Sequence, residues 1–476
     1  MLFNSIEYLI FLPSVFLIYW ILLKEKTQLQ NLLILLASYI FYSWWDWRFL
    51  SLIFISSMTD YVLGIKIHHT DDPVIRKRFL YISLAVNIGL LCFFKYFNFF
   101  IDSFLELSTY FGVQANVNSL NIILPVGISF YTFQTLSYTI DIYKKRIEPV
   151  HDIVAFFSFV SFFPQLVAGP IERARNLLPQ FINKRVFDNE SIKDGLRLIL
   201  WGLFKKIVIA DTSAKNVDYI FSNYDTFGAS TLFLGTIFFA FQIYGDFSGY
   251  SDIAIGSARL FGIKLMRNFA LPYFAKDVME FWKRWHISLS TWFRDYVYIP
   301  LGGSYGSNLI RSRNILITFT LSGLWHGANW TYIAWGFLNG LYYLPHIYLN
   351  LSLNNISFRH PFIIKAVHVL QILITFFLIQ ISWIFFRSVS IYDALQYINR
   401  LFSLSFFSYP AHLIDGKYNV MLILLFLIAE WIQREKEHGL DMFDKPIVLR
   451  WIVYWFLACI ILLHNEKTTS FIYFQF

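Results

Sequence analysis

Long apolar stretches recur along almost the whole chain, and they constrain the fold more than any other feature of the sequence. A helix needs roughly 20 apolar residues to cross a bilayer, and many stretches reach or approach that length. They cover residues 8–23, 29–45, 50–65, 79–94, 121–142, 229–244, 315–349, 363–386, 420–432 and 452–463. The stretch 315–349 is long enough for two spans, with a break near His326 and Gly327. We therefore predict an all-α polytopic membrane protein with about 11 transmembrane helices and some shorter re-entrant helices.

The charge and cysteine content agrees with a bilayer as the solvent. Only 15% of the 476 residues are charged, against about 25% in soluble globular proteins. Loop placement explains most of the net charge of +8, so we expect no nucleic-acid partner. Cys92 and Cys459 both lie in apolar stretches and indicate neither a disulfide framework nor a metal site. The first apolar stretch lacks a basic n-region and a small-residue cleavage site, so we interpret it as a retained span.

The placement of lysine and arginine predicts the orientation in the membrane. If the N-terminus is outside and the segments alternate, most basic residues fall in cytoplasmic loops, as the positive-inside rule requires. These are Lys24, Lys26, Lys66, Arg76, Lys77, Arg78, Lys144, Lys145, Arg146, Arg173, Arg175, Lys184, Arg185, Arg311, Arg313, Arg434, Lys436 and Arg450. The same alternation places the C-terminal residues on the outer face.

The middle of the chain differs from the rest. Residues 1–146 consist of alternating helices and short loops, and we interpret them as a helical wall within a single domain of residues 1–476. Residues 147–400 contain Pro- and Gly-broken and polar segments, which are tolerated at membrane depth only where protein buries them or a cavity needs them. We therefore predict that 147–400 is the catalytic core, and that 401–476 adds C-terminal helices and an outer-face tail.

Two histidines are the strongest candidates for chemistry. His326 lies in the motif Leu-Trp-His-Gly-Ala-Asn-Trp at 324–330, inside an apolar stretch, where a titratable group is costly unless it is used. His286 lies in a segment, 281–294, that mixes basic residues with three tryptophans and is predicted to be one helix. Either histidine could serve as a general base tuned by burial, or both could simply be satisfied by backbone carbonyls. Neither has Cys, Asp or Glu at metal-ligand spacing, so we predict no metal.

Charged residues near these histidines suggest two further features. Asp246 and Asp252 lie among small residues, and buried carboxylates need partners, which we expect in the basic segment 283–294. A structural ion-pair network and a substrate-lining role are both open for them. Lys283, Arg284 and Arg294 lie close in sequence to the Gly-rich turn at 302–303, a combination that suits phosphate groups. Snorkelling of these side chains to lipid headgroups explains the cations equally well.

Several segments together resemble the membrane-bound O-acyltransferases, in particular the bacterial alginate and peptidoglycan O-acetyltransferases. The matching segments are 124–134, 164–175, 242–252, 281–303, 324–335, 383–387 and 471–476. The blocks Arg-Trp-His-Ile-Ser at 284–288 and Trp-His-Gly-Ala at 325–328 are the most specific of them.

The resemblance implies a fold of about 11 helices around a central tunnel, in a bacterial cytoplasmic (inner) membrane. It implies acetyl-CoA as the cytosolic donor, His326 as the catalytic histidine and His286 as the second characteristic one. Lys283, Arg284 and Arg294 would then meet the phosphates of the donor. The expected lining of the substrate tunnel is Gln242, Asp246, Ser248, Asp252, Trp325 and Asn329.

The resemblance also implies partners on the outer face. It implies a polysaccharide acceptor and an extracytoplasmic partner of the SGNH-esterase type, besides the membrane lipid itself. The sequence does not distinguish alginate, peptidoglycan, cellulose or another exopolysaccharide as the acceptor. Tyr473 is the only hydroxyl in the last six residues and is a candidate acetyl carrier, with an interfacial aromatic anchor as the alternative. The alternative function is a transporter or flippase for a lipid-linked sugar or a proton-coupled solute, since buried histidines and broken helices suit it too.

Overall fold

The computed structural model describes residues 1–113, 120–349, 361–411, 416–442, 444–464 and 471–472. The ordered elements in those ranges are helices, and no strand occurs in them. The predicted all-α class is therefore confirmed.

Four helices within these ranges are long and apolar enough to cross a membrane. They are Thr27–His69, Pro73–Tyr110, Phe362–Arg387 and Ile447–His464, and a shorter apolar helix lies at Ile6–Leu22. These helices agree with a polytopic membrane protein. The count of about 11 spans stays a prediction.

The chain forms two compact units, of which the first comprises Met1–Ile199 with Ile253–Met266. Its helices are α1 (Ile6–Leu17), α2 (Thr27–Asp46), α3 (Leu50–His69), α4 (Pro73–Leu91), α5 (Phe97–Tyr110), α6 (Ile128–Tyr143), α7 (Ile153–Ser161), α8 (Phe163–Leu166), α9 (Ala174–Ile182) and most of α10 (Asn189–Leu203). Local sequence sets several helix ends. At α4, Asp72 accepts hydrogen bonds from the N–H groups of Val74 and Ile75. Pro73 occupies the first position, where a missing N–H costs nothing.

The second unit comprises Leu200–Asp252 with Arg267–Phe476 and contains both candidate histidines. Its remaining helices are α11 (Asp211–Ser222), the larger part of α12 (Ala229–Leu260), α13 (Val278–Arg284), α14 (Ile287–Phe293), α15 (Asn308–His326), α16 (Trp330–Tyr348), α17 (Pro361–Arg387), α18 (Ile391–Leu401), α19 (Gly416–Ile432) and α20 (Ile447–His464). Helices α15 and α16 pack against each other. Because α15 ends at His326 and α16 begins at Trp330, the predicted break in the stretch 315–349 is confirmed.

Residues 281–294 are not the single helix that the sequence predicts. Helix α13 ends at Arg284, and α14 begins at Ile287 after His286, which has the left-handed backbone angle φ = 44°. Asn268 stabilises the new start, because its backbone oxygen accepts from the N–H of Ile287 at 2.9 Å. A tertiary contact therefore breaks a segment whose local composition favours one helix.

A pair of glycines on α12 positions the polar part of this unit. Gly245 and Gly249 are four residues apart, so they share one helix face. A Cβ on Gly249 would lie 2.7 Å from the backbone oxygen of Gly202, and one on Gly245 would lie 2.9 Å from that of Lys205. Only glycine allows the π-helical stretch Phe204–Ala210 to lie this close to α12.

Candidate active site

The two histidines lie next to each other at two helix junctions. His286 is the residue immediately before α14, and His326 is the last residue of α15. Their side chains are buried, with 1% and 3% of their surfaces exposed, and their ring centroids are 6.4 Å apart. The hydrogen bonds of the His286 ring go to Asn268 and Ser288, and none joins it to His326. The structure thus brings together the two residues that sequence reasoning placed first.

The hydrogen bonds around His286 fix which ring nitrogen carries its proton. Asn268 Oδ1 accepts from the backbone N–H of Ser288 at 3.2 Å and from its hydroxyl at 2.9 Å. Asn268 Nδ2 donates to the hydroxyl of Ser251 at 3.1 Å. The oxygen and nitrogen of the amide are therefore assigned by their partners. Since His286 Nδ1 lies 3.1 Å from the same Oδ1, Nδ1 must donate.

This tautomer leaves a lone pair on the other ring nitrogen. His286 Nε2 is buried and has no hydrogen-bond partner within the described ranges. Burial also lowers the pKa of His286 to about 3, so the imidazole is neutral at physiological pH. A neutral imidazole with a free Nε2 accepts a hydrogen bond from a hydroxyl. It cannot itself donate to an oxyanion from that nitrogen.

Aromatic side chains enclose His326. The rings of Trp325 and Trp335 each lie 5.0 Å from the imidazole, and the ring of Phe386 lies 5.5 Å from it. Behind them Trp335 stacks on Trp383 at 5.6 Å. This box excludes water from the imidazole and fixes its orientation. The indole Nε1 of Trp335 is buried without a hydrogen-bond partner in the described part of the chain.

Gly327 serves packing against an aromatic ring. A Cβ at this position would lie 2.2 Å from the ring of Tyr332. The space that glycine leaves is therefore filled by Tyr332, whose ring also packs against Phe386 at 4.9 Å. The small residue after His326 keeps the box closed.

A cavity of about 350 Å³ includes in its lining Ile287, the residue after His286, and neither histidine is itself among its lining residues. It is lined by residues of α13, α14, α15, α16 and the segment after α14, including Lys283, Arg294 and Ser304, which follows the Gly-rich turn at 302–303. Ser322 of α15 also lines it. Residues four apart lie on one face of a helix, so the lining face of α15 leads to His326. Of the three cations expected near the Gly-rich turn, Lys283 and Arg294 line this cavity and Arg284 does not.

The three predicted donor-site cations differ in their surroundings. Lys283 makes no ion pair in the described part of the chain. Arg294 lines the cavity and pairs with Asp295 at 2.8 Å. Arg284 is not among the lining residues and pairs with Glu280 one helical turn earlier. Lys283 is therefore the cation most available to an anionic ligand, and Arg284 the least.

The expected ion-pair partners of Asp246 and Asp252 are wrong. Lys206 Nζ lies 2.7 Å from Asp246 Oδ1, and Lys205 Nζ lies 2.7 Å from Asp252 Oδ2. The partners come from the π-helical stretch Phe204–Ala210, because the glycine face of α12 brings that stretch against the aspartates. This arrangement favours the structural ion-pair alternative for both carboxylates.

The other four residues expected in the substrate tunnel have three different surroundings. Gln242 Oε1 and the hydroxyl of Ser248 are buried atoms without hydrogen-bond partners in the described ranges, so both could bind a polar ligand. Trp325 lies 6.1 Å from His286 and belongs to the aromatic box. Asn329 caps α16: its side chain accepts from the N–H of Thr331 at 3.0 Å and donates to a backbone oxygen at 3.1 Å. Its contacts are those of a helix cap.

Sequence reasoning missed three contributors to this site. Asn268, which sets the tautomer of His286, stands in a segment with no motif around it. The buried pair of Tyr244 and Glu430, whose side chains are 2.6 Å apart, joins residues 186 positions apart. Only the lysine pair had a sequence signal, since Lys205 and Lys206 interrupt an apolar run.

Tyr473 lies outside the described residues. Within them, no group of three or more His, Cys, Asp and Glu side chains could hold a metal ion.

Comparison with known proteins shows the family to which this chain belongs. The family model of the membrane-bound O-acyltransferases matches residues 143–389, the part that carries both histidines and the cavity. The chain belongs to this family. It is therefore an acyltransferase, and the transporter alternative is not supported.

Curated relatives carry more specific names. A probable alginate O-acetylase of Pseudomonas aeruginosa is 39% identical over 404 residues, covering 85% of this chain and 75% of that protein. A peptidoglycan O-acetyltransferase of Helicobacter pylori is 36% identical over 434 residues, covering 85% and 80%. A teichoic acid D-alanyltransferase of Streptococcus thermophilus is 30% identical over 261 residues, covering 51% and 62%. The first two span most of both chains, and the chain is an O-acetyltransferase of the membrane-bound family.

Proposed function

We propose that this O-acetyltransferase takes acetyl groups from cytosolic acetyl-CoA and delivers them for O-acetylation of a cell-envelope or secreted polysaccharide. The observation that carries the proposal is the buried pair of His286 and His326, next along the chain to a cavity that Lys283 and Arg294 line. The names of the relatives favour an alginate- or peptidoglycan-type acceptor. The location that fits is the bacterial cytoplasmic membrane, with about 11 spans and both termini outside.

The cavity is the proposed donor site. Its volume of about 350 Å³ is at the lower end of ligand pockets, which span roughly 300–1,000 Å³. It therefore suits the acyl-pantetheine arm better than the whole of acetyl-CoA. Lys283 and Arg294 would meet phosphate oxygens of the donor. Arg284, paired with Glu280 away from the lining, would contribute less.

The histidines are the proposed acid–base pair. The hydroxyl oxygen of the acceptor attacks the thioester carbonyl, forming the new C–O bond, while His326 takes the hydroxyl proton. When the C–S bond breaks, the sulfur leaves as a thiolate and recovers that proton from the imidazolium. Before attack, the single hydroxyl proton is shared in a three-centre hydrogen bond between His286 Nε2 and His326, which orients the hydroxyl, and His326 then takes it. The indole N–H of Trp335 is the proposed donor to the oxyanion that forms on the carbonyl oxygen.

Transfer to the outer face needs a carrier for the acetyl group. Tyr473 is the proposed carrier: its phenol has a pKa near 10, so a base can activate it, and its ester would be a reactive donor. An extracytoplasmic partner of the SGNH type would then move the acetyl group to the polysaccharide. The interfacial anchor remains the alternative for this residue.

The experiment that tests the proposal is transfer of radiolabelled acetyl from acetyl-CoA by the purified protein with polymer and partner. Label should appear on the polymer with wild-type protein and with membranes that contain it. Tyr473→Phe keeps the aromatic ring and removes only the hydroxyl, so the carrier role predicts donor binding without polymer label. If the wild-type protein forms no labelled product with either an alginate-type or a peptidoglycan-type acceptor, the proposed function is contradicted.

A further inference from the structure

Residues 471–472 are seated in the interior of the second unit. The backbone N–H of Ile472 donates to Asp246 Oδ2 at 2.6 Å, across 226 positions of sequence. Phe471 and Ile472 are 1% and 4% exposed. This short segment is therefore as buried as the core of the unit, and its polar contact is made through the main chain.

The seat of this segment lies close to the histidine pair. The ring of Phe471 packs against Tyr250 at 4.6 Å and against Phe247 at 5.7 Å. Phe247 in turn meets the imidazole of His286 edge-on at 4.5 Å. A single aromatic ring thus separates the bound segment from a residue of the proposed acid–base pair.

Asp246 is held in place to receive the segment. Its Oδ1 is paired with Lys206 at 2.7 Å, and Lys206 also donates to Asp211 at 2.7 Å. Its side chain is 3% exposed. One carboxylate oxygen therefore serves the ion pair, and the other is directed to the N–H of Ile472. A buried carboxylate fixed by a lysine is a strong acceptor for a backbone N–H.

We propose that Asp246 is a positioning residue that anchors residues 471–472 beside His286. The inference rests on the proposed function, because it gives the acceptor step a fixed chain segment next to the acid–base pair. Tyr473 follows Ile472 directly in the sequence, so the anchor restrains where the proposed carrier can reach. The ion pair with Lys206 compensates the cost of burying the carboxylate of Asp246. The N–H of Ile472 provides a hydrogen-bond partner for its second oxygen, Oδ2.

The main-chain nature of the contact gives a test that leaves the aspartate intact. Ile472→Pro removes the N–H, whereas Ile472→Val keeps it with a similar apolar side chain. We expect donor turnover, measured as acetyl-CoA hydrolysis without acceptor, to stay within about twofold of wild type in both variants, because Ile472 is not among the residues that line the donor cavity. We expect polymer acetylation to fall about tenfold or more in the proline variant only, since one charge-assisted hydrogen bond is lost.

A second measurement reports the position of the segment without relying on activity. In a background with Cys92→Ala and Cys459→Ala, the variant Ile472→Cys keeps the N–H and should resist maleimide labelling. Adding Asp246→Leu should raise its labelling rate about tenfold or more, and Asp246→Asn should keep it protected, because the amide oxygen still accepts the hydrogen bond. The asparagine variant thus serves as the matched control.

The outcomes separate the anchor from the enzyme activity. Equal labelling of the Asp246→Leu and Asp246→Asn proteins, or full polymer acetylation by Ile472→Pro, would overturn the anchor. A wild-type protein without donor turnover would contradict the proposed function, and the labelling experiment would still decide the anchor.

Discussion

The hydrogen bonds of His286 lead to a prediction about a single charge. Asn268→Asp keeps the size of the side chain and both acceptor positions, so the contacts with Ser288 are conserved. Its only lost donor faces Ser251, whose hydroxyl can turn and donate instead. The substitution therefore places a negative charge 3.1 Å from His286 Nδ1 with little other change.

The size of the effect follows from that distance. At an effective dielectric constant of about 20, two unit charges at 3.1 Å interact by roughly 5 kcal/mol, an upper bound equal to about 4 pKa units. An adjacent opposite charge usually moves a pKa by about 1–3 units. Because the carboxylate favours the imidazolium, the pKa of His286 should rise from about 3 to between about 4 and 6.

The pH profile of activity reports this change. Below the raised pKa, Nε2 carries a proton and cannot accept from the acceptor hydroxyl. The acid limb of acetyl-CoA turnover should therefore move upward by about 1–3 pH units in Asn268→Asp. Ser288→Ala removes a hydrogen bond to Asn268 without adding charge, so its profile should match wild type. An acid limb of Asn268→Asp that superimposes on the wild-type curve would refute the role assigned to His286 Nε2.

Three further predictions concern the donor site, the oxyanion and folding. Arg294→Ala should raise the KM for acetyl-CoA about tenfold and leave the KM for acetyl-pantetheine unchanged. The side chain of Arg284 does not line the cavity, so Arg284→Ala should match wild type for both donors. Equal losses in the two variants would indicate a structural role for both arginines. Trp335→Phe keeps the ring that packs on His326 and removes the N–H, so kcat should fall about 10²–10³-fold, and an unchanged kcat would exclude it as the oxyanion donor. Burial lowers the pKa of His286 to about 3, so the unfolded state binds more protons than the folded state between pH 3 and about 6.5. The free energy of unfolding should therefore decrease as pH falls through this window. His286→Gln should show a flatter pH dependence in thermal denaturation, and identical slopes would contradict the burial of a neutral His286.

Patterns local in the sequence predicted the parts of this protein that depend on local physics. Apolar stretches of spanning length gave the helical class, and the small residues after His326 marked the end of α15. The sequence could assign Lys283 and Arg294 to one site because only residues 284–293 separate them, and both line the same cavity. Each of these features arises within a few helical turns of chain.

Features that depend on distant contacts escaped prediction. The left-handed conformation of His286 is stabilised by Asn268, and no propensity within 281–294 indicates it. The sequence predicted partners for Asp246 in the basic segment 283–294. The close approach of two backbones at Gly249 instead places Lys206 beside Asp246. Charge alone does not distinguish the lysines at 205–206 from the basic residues of 283–294 as partners. Helix packing determines which of them lie next to the aspartates.

Acetyl transfer by His326→Ala tests the central claim most directly. The protein, purified alongside wild type and matched for expression and thermal stability, would be given radiolabelled acetyl-CoA, acceptor polymer and partner. A general base contributes about 10²–10⁴ in rate, so the variant should transfer label at least about a hundredfold more slowly while retaining donor binding. Transfer by a folded His326→Ala protein at the wild-type rate would show that the base lies elsewhere and that the histidine pair is not the catalytic centre.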